Sequence, residues 1–265
     1  KVPGGRIEVR RRFYGNQWHW NHMRHNLKFN YDSLGSGIET IDKGGVIYEA
    51  SSTDASVFVH DDIYRILKIA NGYRWEDKAG RYKIYDEFGR VTTYGDRSGE
   101  TGTLLYEGGE SGKLIGVADR SENQVFWFEY NAEDLISAVY DGANRRVEYA
   151  YTGGRLSAVK DVLNNETRYE YDNERRLSKV IDAAGRHVNL TYDKYGNVAS
   201  VVDSGGQGNF FEYDYDVAKD EAYTRFQTSA GKIKEIWFDK HGDVRRVDIN
   251  GRTVKKIVKD GRDLL

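Results

Sequence analysis

The chain has 265 residues, with 40 Lys plus Arg against 42 Asp plus Glu and a net charge of -2, so its summed field gives no reason to expect a polyanionic partner such as nucleic acid. No cysteine is present, which excludes a disulfide framework, thiolate metal sites and cysteine nucleophiles. With a mean hydropathy of -0.75 and no apolar run near the roughly 20 residues that a spanning helix needs, a helical membrane span is excluded as well.

Aromatic residues make up 13% of the chain, dominated by 20 Tyr, and 29 Gly stand beside one proline, Pro3. Tyr favours half-buried strands. A chain that must turn often with Gly, Asp and Asn rather than Pro uses the chemistry of tight hairpins. Composition therefore predicts an all-β fold. The first residue is Lys1 and the only methionine is Met23, the pattern expected of a processed product or a piece of something longer.

In chain order, the first element expected is a strand through Glu8 to Phe13 and Tyr14, followed by a Gly-Trp-rich stretch from Gly15 to His22 with Trp18 and Trp20. His19, His22 and His25 stand at i, i+3 and i+6. On a helix the first two could chelate a metal, but on a strand the outer two lie about 20 Å apart. This segment reads as strand or loop, so packing is the expected role, with the three histidines the only metal candidates. The run Arg10-Arg11-Arg12 is expected to be a solvated edge, as is Lys255-Lys256 near the other end.

From about residue 79 the chain repeats. An aromatic residue followed by a turn recurs at Tyr85, Tyr106, Tyr130, Tyr151, Tyr171, Tyr192, Tyr213 and Phe238, and a second turn position is held by Asp119, Asp141, Asp161, Asp182, Asp203 and Asp248. The first turn reads Tyr85-Asp86-Glu87-Phe88-Gly89-Arg90 or Tyr192-Asp193-Lys194-Tyr195-Gly196-Asn197. Asp closes such a turn on its own backbone, and Gly accepts a left-handed conformation. At Tyr171 to Leu177, Arg175 replaces that glycine, and strain or a different build is expected there. Between turns, side chains alternate: Phe126, Phe128 and Tyr130 share one face, as do Val188, Leu190 and Tyr192, with Glu129, Glu148, Arg168 and Glu170 opposite. The expected fold is an extended antiparallel β-hairpin meander, a repeat ribbon of the kind that builds a coiled shell or solenoid-like sheet. One or two short helices are allowed, chiefly at Val217 to Ala222, where the repeat is interrupted.

Other motifs read blandly. Gly108 to Leu114 misses the phosphate-loop pattern, since Glu107 and Leu114 stand where Gly and Ser or Thr are needed, and is expected to be a hairpin tip. Asn165 and Asn189 fit the N-glycosylation pattern, the second in mid-strand. Carboxylates that recur in every unit serve turns rather than catalysis, which needs one site. Only Trp18 to His25 and Glu235 to Asp239 break the repeat with aromatic-plus-polar clusters.

The units from about Gly80 to Arg252 resemble those of the YD-repeat, or RHS-repeat, family, most closely at Tyr85 to Arg90, Tyr171 to Asp182 and Tyr192 to Asp203, and the Arg-aromatic strand with its Gly-Trp element resembles that family's entry region. The resemblance implies an entry region over 1–78 and repeats over 79–265. It further implies a β-sheet wall or scaffold, like the shells that enclose an effector in bacterial secreted toxin systems, outside the cell or at its surface. Partners would be other copies of the chain or the remainder of a longer parent, assembled edge to edge, even as a filament; no cofactor and no nucleic acid are expected. The chain is far shorter than such a shell, and no Asp-Pro-rich self-cleavage motif follows the repeats. The alternatives are a surface adhesin that stacks exposed Tyr and Trp on glycans, and an enzyme such as a glycosidase.

Overall fold

The computed structural model describes residues 10–14, 17–20, 26–60, 64–110, 112–218, 220–239 and 244–257. Among these, every regular element is a β-strand. The chain forms two compact units, residues 1–163 and 164–265.

The first unit begins with a separate hairpin, β1 (Arg11–Tyr14) and β2 (Gln17–Trp20). A continuous antiparallel meander follows, each strand pairing with the next: β3 (Leu27–Tyr31), β4 (Ile38–Lys43), β5 (Val46–Ala50), β6 (Val57–His60), β7 (Tyr64–Ile69), β8 (Gly72–Glu76), β9 (Tyr82–Tyr85), β10 (Val91–Asp96), β11 (Gly99–Tyr106), β12 (Leu114–Asp119), β13 (Gln124–Tyr130), β14 (Ile136–Asp141), β15 (Arg146–Thr152) and β16 (Arg155–Lys160). The meander curls on itself, because Leu27 at the start of β3 donates its N–H to the Gly89 carbonyl in the β9–β10 turn at 2.8 Å. Gly89 has φ +79, and a Cβ there would stand 2.7 Å from the Leu27 carbonyl oxygen, so only glycine fits.

The inward face is packed with Ile41, Tyr48, Phe58, Ile66, Tyr73, Trp75, Tyr85, Leu104, Val117 and Phe128. Ile41, Ile66 and Tyr85 are 0% exposed. Trp20 anchors the β1–β2 hairpin on this core, edge-on to Phe128 and Tyr149 at ring separations of 6.4 and 5.2 Å. Arg11 belongs to the same contact: its guanidinium lies 4.4 Å from the Tyr149 ring centroid and 5.6 Å from that of Trp20. The expected solvated edge is thus corrected at Arg11, where the faces of Trp20, Tyr149 and Trp18, the last at 5.3 Å, attract the cation.

The second unit is a shorter meander of the same kind: β17 (Glu166–Tyr171), β18 (Leu177–Ile181), β19 (His187–Tyr192), β20 (Val198–Asp203), β21 (Gly208–Asp216), β22 (Glu221–Thr228), β23 (Ile233–Phe238), β24 (Val244–Ile249) and β25 (Arg252–Lys256). Among the described residues of Val217 to Ala222 no helix forms. Asp214, Tyr215 and Asp216 continue β21 and pair with Tyr223, Ala222 and Glu221, so the interruption lengthens a hairpin instead of coiling. Six residues are too few for a helix to form without tertiary support, whereas each residue added to a hairpin gains a ladder partner.

Candidate functional site

The recurring structure is a five-residue turn locked by one carboxylate. At Asp172, Oδ1 accepts the N–H groups of Glu174 and Arg176 at 3.0 and 2.8 Å, and the Asp172 carbonyl accepts the N–H of Arg175. Oδ2 then accepts from Arg176 Nε at 2.8 Å. The same arrangement appears with Arg81 on Asp77, Arg90 on Asp86, Arg145 on Asp141 and Arg186 on Asp182, at 2.6 to 2.7 Å. Asn197 takes the arginine's place on Asp193 at 3.1 Å. Asp119, Asp203 and Asn131 make the two backbone contacts with Ser121 and Asn123, Gly205 and Gln207, and Glu133 and Leu135. Asp161 accepts from Leu163. Most of these turns therefore use one design, whose chemistry is backbone satisfaction, whereas Thr152 and Arg155 are joined through Gly153 and Gly154 and the loop after Tyr106 is closed by Glu107 N–H on the Lys113 carbonyl.

The fourth turn residue, whose N–H meets the Asp carbonyl, is left-handed. Gly fills it at Gly89, Gly185 and Gly196, with φ of 79, 81 and 87°. Glu122, Asp134, Asn144 and Arg175 adopt the same conformation, with φ of 63, 60, 57 and 69°. The turn at Arg175 is thus built like the others, and the expected strain resides in that residue's backbone.

Electrostatics follow from the turn. Burial pushes the Asp172 carboxyl up, but the Arg176 backbone N–H and guanidinium hold it below the usual carboxylate range. The hydrogen bond from Arg186 does the same for Asp182, and that from Arg145 for Asp141. Arg90 and Arg176 keep only 15% of their side chains exposed and lie over the next unit's aromatic ring, Tyr106 at 4.7 Å and Tyr192 at 4.6 Å.

That tyrosine sits beside a β-bulge. Register shifts occur at Tyr106, Tyr130, Tyr151, Tyr171, Tyr192 and Phe238, where the aromatic residue faces the first residue of the following strand, or the second in the case of Tyr151; Tyr85 faces Val91 in the same way. The extra residues are Ile115, Ser137, Ser157, Ser178, Ala199, Arg245 and, opposite Tyr85, Thr92. The bulge interrupts the ladder beside a strand-opening residue, and a tyrosine hydroxyl takes that residue's carbonyl: Tyr130 donates to Leu114, Tyr151 to Ile136 and Tyr192 to Leu177, at 2.7 to 2.8 Å. Burial raises the Tyr130 hydroxyl to about 12, so it stays a donor over the whole neutral range.

Two positions depart from the pattern. Tyr213 lies mid-strand opposite Thr224, 40% exposed, because the longer hairpin moves the turn downstream. Asp248 lies inside β24, where it accepts from Thr253 Oγ1 at 2.7 Å and pairs with Arg246, while Asn250 and Gly251 make the turn. His19 is on β2 opposite Arg12; His22 and His25 fall outside the described residues. Among the described residues no three His, Asp or Glu side chains converge as metal ligands. Gly108, Gly109, Glu110, Gly112 and Lys113 lie in the loop between β11 and β12, and Leu114 opens β12. Within Glu235 to Asp239, Trp237 lies under Arg246 and beside Tyr223, and Asp239 pairs with Arg245 at 2.7 Å. Sequence reasoning missed the arginine that closes the turns at Asp77, Asp86, Asp141, Asp172 and Asp182, although its signal, Arg four residues after Asp, recurs in the sequence.

The class that this geometry defines is an all-β ribbon of repeated hairpins, many of them closed by Asp turns. Residues 128–247 match the family model of the teneurin YD-shell. Among solved structures, a TcdB2-TccC3-Cdc42 crystal structure is 12% identical, with 90% of this chain covering 16% of that chain at a TM-score of 0.41. A Photorhabdus luminescens Tc holotoxin pore is likewise 12% identical, covering 89% of this chain and 16% of that one at 0.40. The chain thus spans about a sixth of the length of these structures. No curated protein matches it.

Proposed function

We propose that the chain is a stretch of structural wall, a β-sheet scaffold of the YD-shell kind, with an entry region over 1–78 and repeats over 79–265. The observation that carries this reading is the uniformity of the turn: one carboxylate geometry recurs from Asp77 to Asp203, where a ligand site or active site would single out one unit. The match of residues 128–247 to a shell family supports it. In this reading the wall is continued by the remainder of a longer parent or by other copies of the chain, outside the cell, and its side chains bear no catalytic role.

Two measurements test this. A glycan array should give no saturable binding; micromolar binding that is lost on Tyr195→Ala, whose ring is 76% exposed, would replace the wall by an adhesin. Light scattering at physiological salt should find assemblies if copies continue the wall. A monomer across the micromolar range would remove that arm and leave the longer parent.

A further inference from the structure

Five of the Asp turns share a feature beyond their backbone contacts, a guanidinium edge that closes on the second carboxylate oxygen. Arg186 approaches Asp182 Oδ2 with Nε and Nη2, each at 2.7 Å, and Arg81, Arg90, Arg145 and Arg176 bring Nε to the same oxygen of Asp77, Asp86, Asp141 and Asp172 at 2.6 to 2.8 Å. At Asp193 the Asn197 amide takes that place at 3.1 Å. The design thus has two halves, an Oδ1 that orders the backbone and an Oδ2 that takes a planar donor from the fifth turn residue.

At Asp203 only the first half is present. Oδ1 accepts the N–H groups of Gly205 and Gln207, both at 2.9 Å, but the fifth residue is Gln207, and among the described residues no side chain donates to Oδ2. Asp203 also lines a cavity of about 380 Å³ within the second unit, with Val188 and Val201 as its apolar wall and Gln207, Asn209 and Ser229 as its polar wall. That size falls within the roughly 300–1,000 Å³ of small-ligand sites. Ser229 is fixed there: its Oγ accepts the Gly208 N–H at 2.6 Å and its own N–H donates to the Gly208 carbonyl at 2.9 Å, which ties the β22–β23 turn to the start of β21. Among the described residues no Lys or Arg lines the cavity. Asp119 has Asn123 as its fifth residue, but only 6% of Asp119 is exposed, whereas Asp203 is open to a ligand.

We propose that this cavity is a binding site for an arginine side chain presented by another polypeptide. The guanidinium donates to Asp203 Oδ2 as Arg186 does to Asp182, its remaining N–H groups meet the side-chain oxygens of Gln207 and Asn209, and its methylenes pack on Val188 and Val201. A lysine fits less well, because its ammonium is a point charge without a planar edge. The site goes beyond the wall reading and does not depend on it, since Asp203 keeps the backbone geometry common to the turns and differs in the partner of its second oxygen.

The test is titration of the native, isotope-labelled full chain at low ionic strength with an acetylated and amidated Gly-Arg-Gly peptide, read from backbone amide resonances. The amides of Gly205, Gln207, Gly208 and Ser229 are expected to shift saturably. The matching citrulline peptide, which keeps the shape and loses the charge, and the matching lysine peptide should each bind at least about fivefold more weakly. Asp203→Asn removes the charge and keeps the turn, because Asn131 makes both backbone contacts in an equivalent place; it should abolish the response at an unchanged urea midpoint. Gln207→Arg supplies the guanidinium within the chain and should abolish the response as well. No saturable shift, equal binding of the arginine and citrulline peptides, or binding undiminished in Asp203→Asn would overturn the proposal.

Discussion

At the scale of single residues, the turns contain their own controls. Arg175 and Gly185 occupy equivalent turn positions, Arg175 is exposed, and a Cβ on Gly185 would meet nothing within 4 Å, so only backbone conformation separates them. A left-handed residue bearing a Cβ costs roughly 1–2 kcal/mol, while glycine adds unfolded-state entropy worth roughly 0.5–1 kcal/mol. Relief of strain wins narrowly, so Arg175→Gly should stabilise by about 0.5 kcal/mol and Gly185→Ala should destabilise by a similar amount. Urea titrations check both, and a loss on Arg175→Gly would show that its side chain makes an unrecognised contact. Asp172→Ala removes two backbone acceptor contacts and leaves the half-buried Arg176 without its anion, a loss of about 2 kcal/mol. Because the folded Asp172 carboxyl titrates below its ordinary value of 3.8, its contribution is complete above that pH and disappears as pH falls through the lower, folded value. The gap between wild type and variant should therefore be full at neutral pH and closing below about pH 4.

Individual strands were legible where period two governs, because alternation of Phe126, Phe128 and Tyr130 with Glu129 requires nothing beyond a pleated half-buried surface. The bulge was not legible. Ser137, Ser157 and Ser178 leave the composition of their strands unchanged, and a single extra residue shows only in the pairing register. Yet the bulge decides what the tyrosine does, since it leaves the carbonyl that the hydroxyl reaches. Tyr192→Phe deletes the bond to the Leu177 carbonyl and should cost about 1 kcal/mol. Tyr106 is the contrasting case: its hydroxyl is buried without a hydrogen-bond partner among the described residues, and Arg90 contacts the ring rather than the oxygen. Tyr106→Phe should be neutral or slightly stabilising. Equal losses for the two variants in urea titrations would mean that the rung acts through ring packing alone. The helix expected at Val217 to Ala222 failed for a related reason: local sequence breaks the repeat there, but strand pairing is non-local, and the flanking residues extend an existing ladder.

For the whole molecule, repetition is what the sequence displays best and the distribution of burial is what it displays least. The Tyr-Asp units are most regular after residue 164, yet among the described residues the buried apolar side chains other than Leu177 lie in the first unit, many of them in β4 to β8, where the motif is hardest to recognise. A repeat keeps its turn chemistry whether or not its inner face is covered, so regularity does not report packing. In the second unit the inward residues Val188, Leu190, Tyr192 and Phe226 stay half-buried, and the sheet is held mainly by its ladders and Asp turns. Local stability follows buried apolar contact, which divides the chain into a resistant and a yielding part. Ile66, with no exposed surface, should lose about 3 kcal/mol on replacement by alanine; Val188→Ala should lose only about 1 kcal/mol, the share left to a half-buried side chain. Native-state hydrogen exchange should correspondingly show β17–β25 amides opening at lower free energy than those of β4–β14. Uniform protection across both units, together with equal losses for the two alanine variants, would mean that the inner face of the second unit is covered in solution, and the division drawn from burial would be wrong.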